Sequence, residues 1–195
     1  MTEQPGHVVV MGASWGGLEV LREIVAGLPA GLDAAVVVAQ HRAPDSHPTA
    51  FRDLLGGAAE LTVCDADDKD VLQRGAVYVA APDYHLLVEP DGLALSTDEP
   101  VLFARPSIDV LFESAAESFR ERCVGVVLTG ANEDGAQGLA RIVELGGTAV
   151  VQDPATATRK EMPLAALAAV PDARIAPPAG IPSLLVELCG VRMAA

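Results

Sequence analysis

The chain has 195 residues, half of them apolar, and carries a formal net charge of −14. That length suits one domain, 1–195, able to bury a substantial core, and the apolar content excludes a disordered chain. The acidic balance argues against nucleic acid and against anionic lipid, since both are held by clustered Lys and Arg. Aromatics are few and Ala, Val and Leu abundant, which predicts a small-side-chain core of the kind found around a buried parallel sheet. No apolar run approaches the ~18 residues a membrane helix needs, so no membrane insertion is expected. Cys64, Cys123 and Cys189 are an odd set without metal-ligand spacing, and no secretory signal precedes them. They are expected to be buried small hydrophobes in a reducing, cytoplasmic compartment.

Residues 7–11 read as a β-branched strand, 12–17 as a glycine-rich turn, and 18–28 as a helix with Leu18, Leu21, Ile24, Val25 and Leu28 on one face. A second apolar strand at 34–39 ends at Gln40-His41. Residues 48–55 look helical and 60–64 could form a short strand. The middle is different: 76–80, 85–89 and 93–96 are short and separated by turn signals, which suggests an antiparallel hairpin or meander at the sheet edge. Helix, strand and loop follow at 108–120, 124–129 and 130–134, then a helix at 135–145. A strand at 148–151, a loop at 153–158, a helix at 161–169, a short strand at 174–176 and a helix at 182–189 complete the chain. Repeated strand–helix alternation predicts an α/β, doubly wound, mostly parallel three-layer sheet with right-handed crossovers. In such sheets the reactive loops lie beyond the carboxyl ends of the strands.

Three strand ends carry candidate chemistry. Ser14 sits in Gly12-Ala13-Ser14-Trp15-Gly16-Gly17, where glycines permit a sharp strand-to-helix turn. Such a turn lifts a serine clear of the sheet, beside free helix N–H groups, as in a nucleophile elbow. A simple helix cap or a phosphate-binding turn would use the same residues. After strand two, Gln40-His41 stands where a dinucleotide fold would place an acidic ribose ligand. His41 instead supplies a base beside Ser14. A third group must orient the imidazole. Asp134 and Asp153 both follow buried strands, and residue chemistry alone does not choose between them; Asp109 is disfavoured by its place within a helix.

Taken together these segments resemble the catalytic domain of the chemotaxis protein-glutamate methylesterases, the CheB family. The resemblance spans nearly the whole chain. It rests on Gly12-Ala13-Ser14-x-Gly16-Gly17, on Gln40-His41, and on Tyr78-Val79-Ala80 with Asp83 and His85. Arg105-Pro106-Ser107-Ile108-Asp109-Val110-Leu111-Phe112 and the run from Gly125 to Thr129-Gly130, Asp134-Gly135-Ala136 and Gly138 complete it. It implies Ser14, His41 and Asp134 as a catalytic triad with Asp134 as the carboxylate. It also implies hydrolysis of glutamate γ-methyl esters on chemoreceptor helices, glutamine deamidation, and no metal or cofactor. Backbone N–H groups at Trp15 and Ala131 are the expected oxyanion donors, and Arg105 and His85 are candidate substrate contacts. Trp15 replaces the family's small hydroxyl residue, and Ala131-Asn132-Glu133 departs from its Met-Gly-Asn run, altering the mouth of the site. A stand-alone catalytic domain is expected, any response-regulator partner being a separate protein. Rival readings are a catalytically weak binding module of the same fold, a nucleotide-binding domain, and an esterase for another substrate.

Overall fold

The computed structural model of the protein describes residues 4–47 and 49–192. In chain order its elements are β1 (His7–Ala13), α1 (Gly17–Ala26), β2 (Ala34–Gln40), α2 (Ala50–Gly56), β3 (Thr62–Asp65) and β4 (Ala76–Val79). They continue with β5 (His85–Glu89), β6 (Gly92–Ser96), α3 (Ile108–Phe119), β7 (Cys123–Val127), α4 (Ala136–Glu144), β8 (Thr148–Gln152), α5 (Glu161–Ala169), β9 (Arg174–Ala176) and α6 (Ile181–Cys189). Pro48, the first residue of the predicted second helix, lies outside the described residues; α2 covers most of the rest.

Seven strands pair in the order β3-β4-β2-β1-β7-β8-β9, and every pairing is parallel. Alternate side chains enter two cores. Val8, Val10, Ala35 and Val37 pack with α3, α4 and α5, and Val9, Met11, Val36 and Val38 pack with α1, α2 and α6. Both faces of the central strands are covered, which is why their sequences are continuous apolar runs and not alternating ones.

The short middle strands divide. β5 and β6 form the expected antiparallel hairpin as a separate two-stranded sheet. It lies on α3, where Ser114 Oγ accepts the Val88 N–H and Ser118 Oγ donates to the Val88 carbonyl, at 3.0 and 2.9 Å. Residues 76–80, grouped with that hairpin in the sequence, instead supply β4, a parallel strand inside the main sheet between β3 and β2. Four buried residues carry no alternation that would separate a central parallel strand from an edge one.

β1 is central, with β2 on one side and β7 on the other. The winding reverses there, so the carboxyl ends of β1, β2 and β7 open into one crevice.

Candidate active site

Ser14 follows the last residue of β1. Its N–H donates to Thr129 O across the crevice at 2.9 Å, and its carbonyl accepts the Gly17 N–H at 2.9 Å. Helix α1 is capped by Gly16, at φ 80, with no side-chain hydrogen bond. The Ser14 hydroxyl is therefore not spent as a helix cap. Gly16 must be glycine on two counts, because a Cβ there would also lie 2.7 Å from the Thr158 side chain.

His41 extends the β1–β2 ladder by donating its N–H to Ala13 O at 3.0 Å. That backbone bond brings its ring over the serine. Nδ1 lies 3.2 Å from Ser14 Oγ, and Nε2 lies 2.7 Å from Asp134 Oδ2. Asp134, in the loop after β7, is buried at 1 % exposure. Four groups surround its carboxylate. Oδ2 accepts from His41 Nε2 and the Ile108 N–H, both at 2.7 Å, and Oδ1 accepts from Ser107 Oγ and the Asp109 N–H, both at 2.9 Å. Burial by itself would raise the Asp134 pKa. The His41 hydrogen bond, the Ile108 and Asp109 N–H groups and the nearby imidazole charge outweigh it, and hold the group below the ordinary carboxylate value.

An ionised Asp134 has no proton to offer, so His41 Nε2 must carry one. In the neutral ring, Nδ1 is then the acceptor for the Ser14 hydroxyl. The ring nitrogens exchange the roles they have in the chymotrypsin arrangement, and the chain of proton donation is unchanged.

Asp153, the other sequence candidate, accepts the Ala155 N–H at 2.9 Å and closes a local turn. The backbone N–H groups of Trp15 and Ala131 donate to no other group among the described residues. The Trp15 ring is 64 % exposed, with the Arg159 guanidinium 5.8 Å from its centre, so it is a surface platform and not core. A cleft of about 340 Å³ opens beside His41, walled by Arg42, Asp83, Leu102, Phe103 and Asn132.

Two expected substrate contacts already make hydrogen bonds within the fold. Arg105 borders this cleft, but its guanidinium holds Asp83 Oδ1 through Nε and Nη2 and the Thr97 and Asp98 carbonyls through Nη1. His85 is 1 % exposed; Nδ1 accepts the Ser107 N–H and Nε2 donates to Glu99 O, both at 3.1 Å. With both nitrogens bound to backbone, His85 positions the segment leading into α3 and has none left for a ligand. Burial pushes the Cys123 and Cys189 thiols up to about 12, which keeps them inert.

Three residues that the resemblance motifs contain are assigned no role from the sequence. Gln40 Nε2 donates to Ser14 O at 2.7 Å and His41 O at 3.1 Å, tying the Ser14 loop to the His41 loop. Thr129 Oγ1 lies 2.9 Å from Trp15 O and accepts the Arg159 N–H at 2.9 Å. Ser107 caps α3 and donates to Asp134.

Comparison with known proteins converges on one family. The CheB methylesterase profile matches residues 9–185. A Leptospira interrogans relative, provisionally named protein-glutamate methylesterase/protein-glutamine glutaminase, is 44% identical over 164 residues and 84% of each chain. The protein-glutamate methylesterase/protein-glutamine glutaminase of Maricaulis maris is 35% identical over 80% of this chain but only 40% of its own length. The crystal structure of the Thermotoga maritima CheB methylesterase catalytic domain matches with a TM-score of 0.90 at 31% identity, covering 94% of this chain and 98% of that one. A profile over nearly the whole length and a solved catalytic domain of the same fold place the crevice in a known lineage: the chain belongs to the CheB methylesterase family.

Proposed function

We propose that this protein is a carboxylic ester hydrolase that removes the γ-methyl group from glutamate residues of methylated, chemoreceptor-like proteins, with glutamine deamidation as a second acyl transfer at the same site. The observation that carries this reading is the continuous chain Ser14 Oγ to His41 Nδ1 and His41 Nε2 to an ionised Asp134.

Ser14 Oγ attacks the ester carbonyl while its proton passes to His41 Nδ1. The oxyanion accepts from the backbone N–H groups of Trp15 and Ala131. The tetrahedral species collapses, and His41 returns the proton to the departing methoxide, releasing methanol. Water then gives a proton to His41 and attacks the glutamyl ester on Ser14. Collapse expels the Ser14 oxygen, which recovers its proton, and frees the glutamate side chain. Asp134 remains ionised throughout and stabilises the imidazolium in both halves. For a glutamine the leaving group is ammonia.

A fluorophosphonate probe is expected to label Ser14, and His41→Ala to abolish that labelling. Ser14→Ala is expected to lower methanol release from a methyl-esterified glutamyl peptide by roughly 10⁴-fold or more with the fold intact. Parent-level activity in Ser14→Ala would sink the mechanism.

A further inference from the structure

Asp109 has no step in that mechanism, yet it is buried at 7 % exposure against the peptide that carries Asp134. Its Oδ1 accepts the Gly135 N–H at 2.9 Å and the Gly138 N–H at 2.8 Å. Its own N–H donates to Asp134 Oδ1. Helices α3 and α4 thus exchange caps: Asp134, just ahead of α4, satisfies the first N–H groups of α3, and Asp109, in the first turn of α3, satisfies those of α4. The α4 cap position is Gly135, at φ 97, which brings no side chain to the task. At Gly138 the helices touch so closely that a Cβ would lie 2.5 Å from Phe112 Cβ.

We propose that Asp109 is a positioning residue for ester hydrolysis: its carboxylate oxygen clamps the Asp134–Gly135 peptide and so aims the Asp134 carboxylate at His41. The proposal rests on the Ser14–His41–Asp134 reading above. Residues 107–109 hold Asp134 at both ends, its carboxylate through Ser107, Ile108 and Asp109 and its following peptide through the Asp109 side chain. A group anchored at both ends has little freedom to swing away from its partner. Without the clamp, the side-chain hold on this turn among the described residues falls to Asn132 Oδ1, which accepts the Asp134 N–H at 3.3 Å, and displacement at Gly135 transfers directly to Asp134.

The acceptor oxygen does the clamping, whatever the charge. Burial, with the Asp134 and Glu113 carboxylates adding to it and the Gly138 and Gly135 N–H groups opposing it, pushes the Asp109 pKa up to about 6. Both its protonated and ionised forms keep an oxygen able to accept those N–H groups. Asparagine keeps one too.

The test compares kcat and KM for methanol release from a methyl-esterified glutamyl peptide, together with the rate of fluorophosphonate labelling of Ser14. Asp109→Ala is expected to lower kcat by roughly 10- to 100-fold, the scale on which a displacement of about 1 Å acts, with KM unchanged and labelling slowed in proportion. Asp109→Asn is expected to restore most of both rates. On an Asp134→Ala background, Asp109→Ala is expected to add no further loss, because its effect runs through the missing carboxylate. Should Asp109→Ala fail to fold, Asp109→Ser, too short to reach both N–H groups, is read against the same values. Unchanged kcat in the folded variant, or multiplicative losses in the double variant, would overturn the clamp. An active Ser14→Ala would instead overturn the triad, so the two failures are separable.

Discussion

Asp134 and Asp109 are buried acidic residues joined through the Asp109 backbone N–H, which donates to Asp134 Oδ1, and their surroundings push their carboxyl groups in opposite directions. For Asp134 burial opposes ionisation, but four donors converge on its two oxygens and win. Asp109 receives only two backbone N–H groups and faces Asp134, so burial wins and its pKa rises to about 6. The consequences for stability have opposite signs. Asp134 ionises more readily folded than unfolded; its contribution is present above about pH 4, the unfolded value, and is lost as pH falls through the lower folded value. Asp109 ionises less readily folded than unfolded. The fold therefore loses stability on this account as pH rises from about 4 through about 6. Thermal melts of the parent and Asp109→Asn over that range are expected to diverge, the variant gaining relative to the parent as pH rises through about 6. Parallel curves would mean that burial does not govern Asp109.

The loop from β7 to α4 must pass Ser14 on its way to presenting Asp134, and its clearance is set at Gly130. A Cβ there would lie 1.8 Å from Met162 Sδ and 2.9 Å from Ser14 Cβ. Gly130 also donates its N–H to Arg159 O and accepts the Met162 N–H, so the loop cannot retreat without breaking the entry to α5. Gly130→Ala is expected to destabilise by about 1–3 kcal/mol through overpacking and to slow fluorophosphonate labelling of Ser14. Gly57→Ala is the control: it closes α2 at φ −60, where a Cβ meets nothing nearer than 3.7 Å, and neither property is expected to fall. Equal labelling of the two variants would show that Ser14 does not depend on this contact. The same element shows where sequence reading stops. The strand and the aspartate after it are visible as an apolar run followed by a polar loop. That the loop needs glycine because a methionine from α5 lies across it is not.

Over the whole molecule, 27 acidic residues against 13 basic ones set a repulsive field for any acidic protein substrate. Raising salt from about 0.05 to 0.5 M shortens the screening length severalfold. It is expected to raise kcat/KM for an acidic, methyl-esterified helical peptide and to leave a small neutral ester unaffected; equal responses would remove this field from substrate selection. Fold class, most element positions, and Ser14 and His41 at strand ends follow from the chain read alone, because periodicity, glycine turns and strand-end chemistry are properties of neighbouring residues. Pairing is not such a property, so β4 took a place inside the parallel sheet that its four residues do not announce. Residue chemistry left Asp134 and Asp153 undivided for a similar reason. The donors that hold Asp134 ionised come from Ser107, Ile108 and Asp109, 25 to 27 positions away, and from His41, 93 positions away. The tautomer of His41, the burial of His85 and the exchange of caps between α3 and α4 exist only once packing has joined those segments. Hydrogen bonds between remote residues form in space, and local sequence does not encode who arrives.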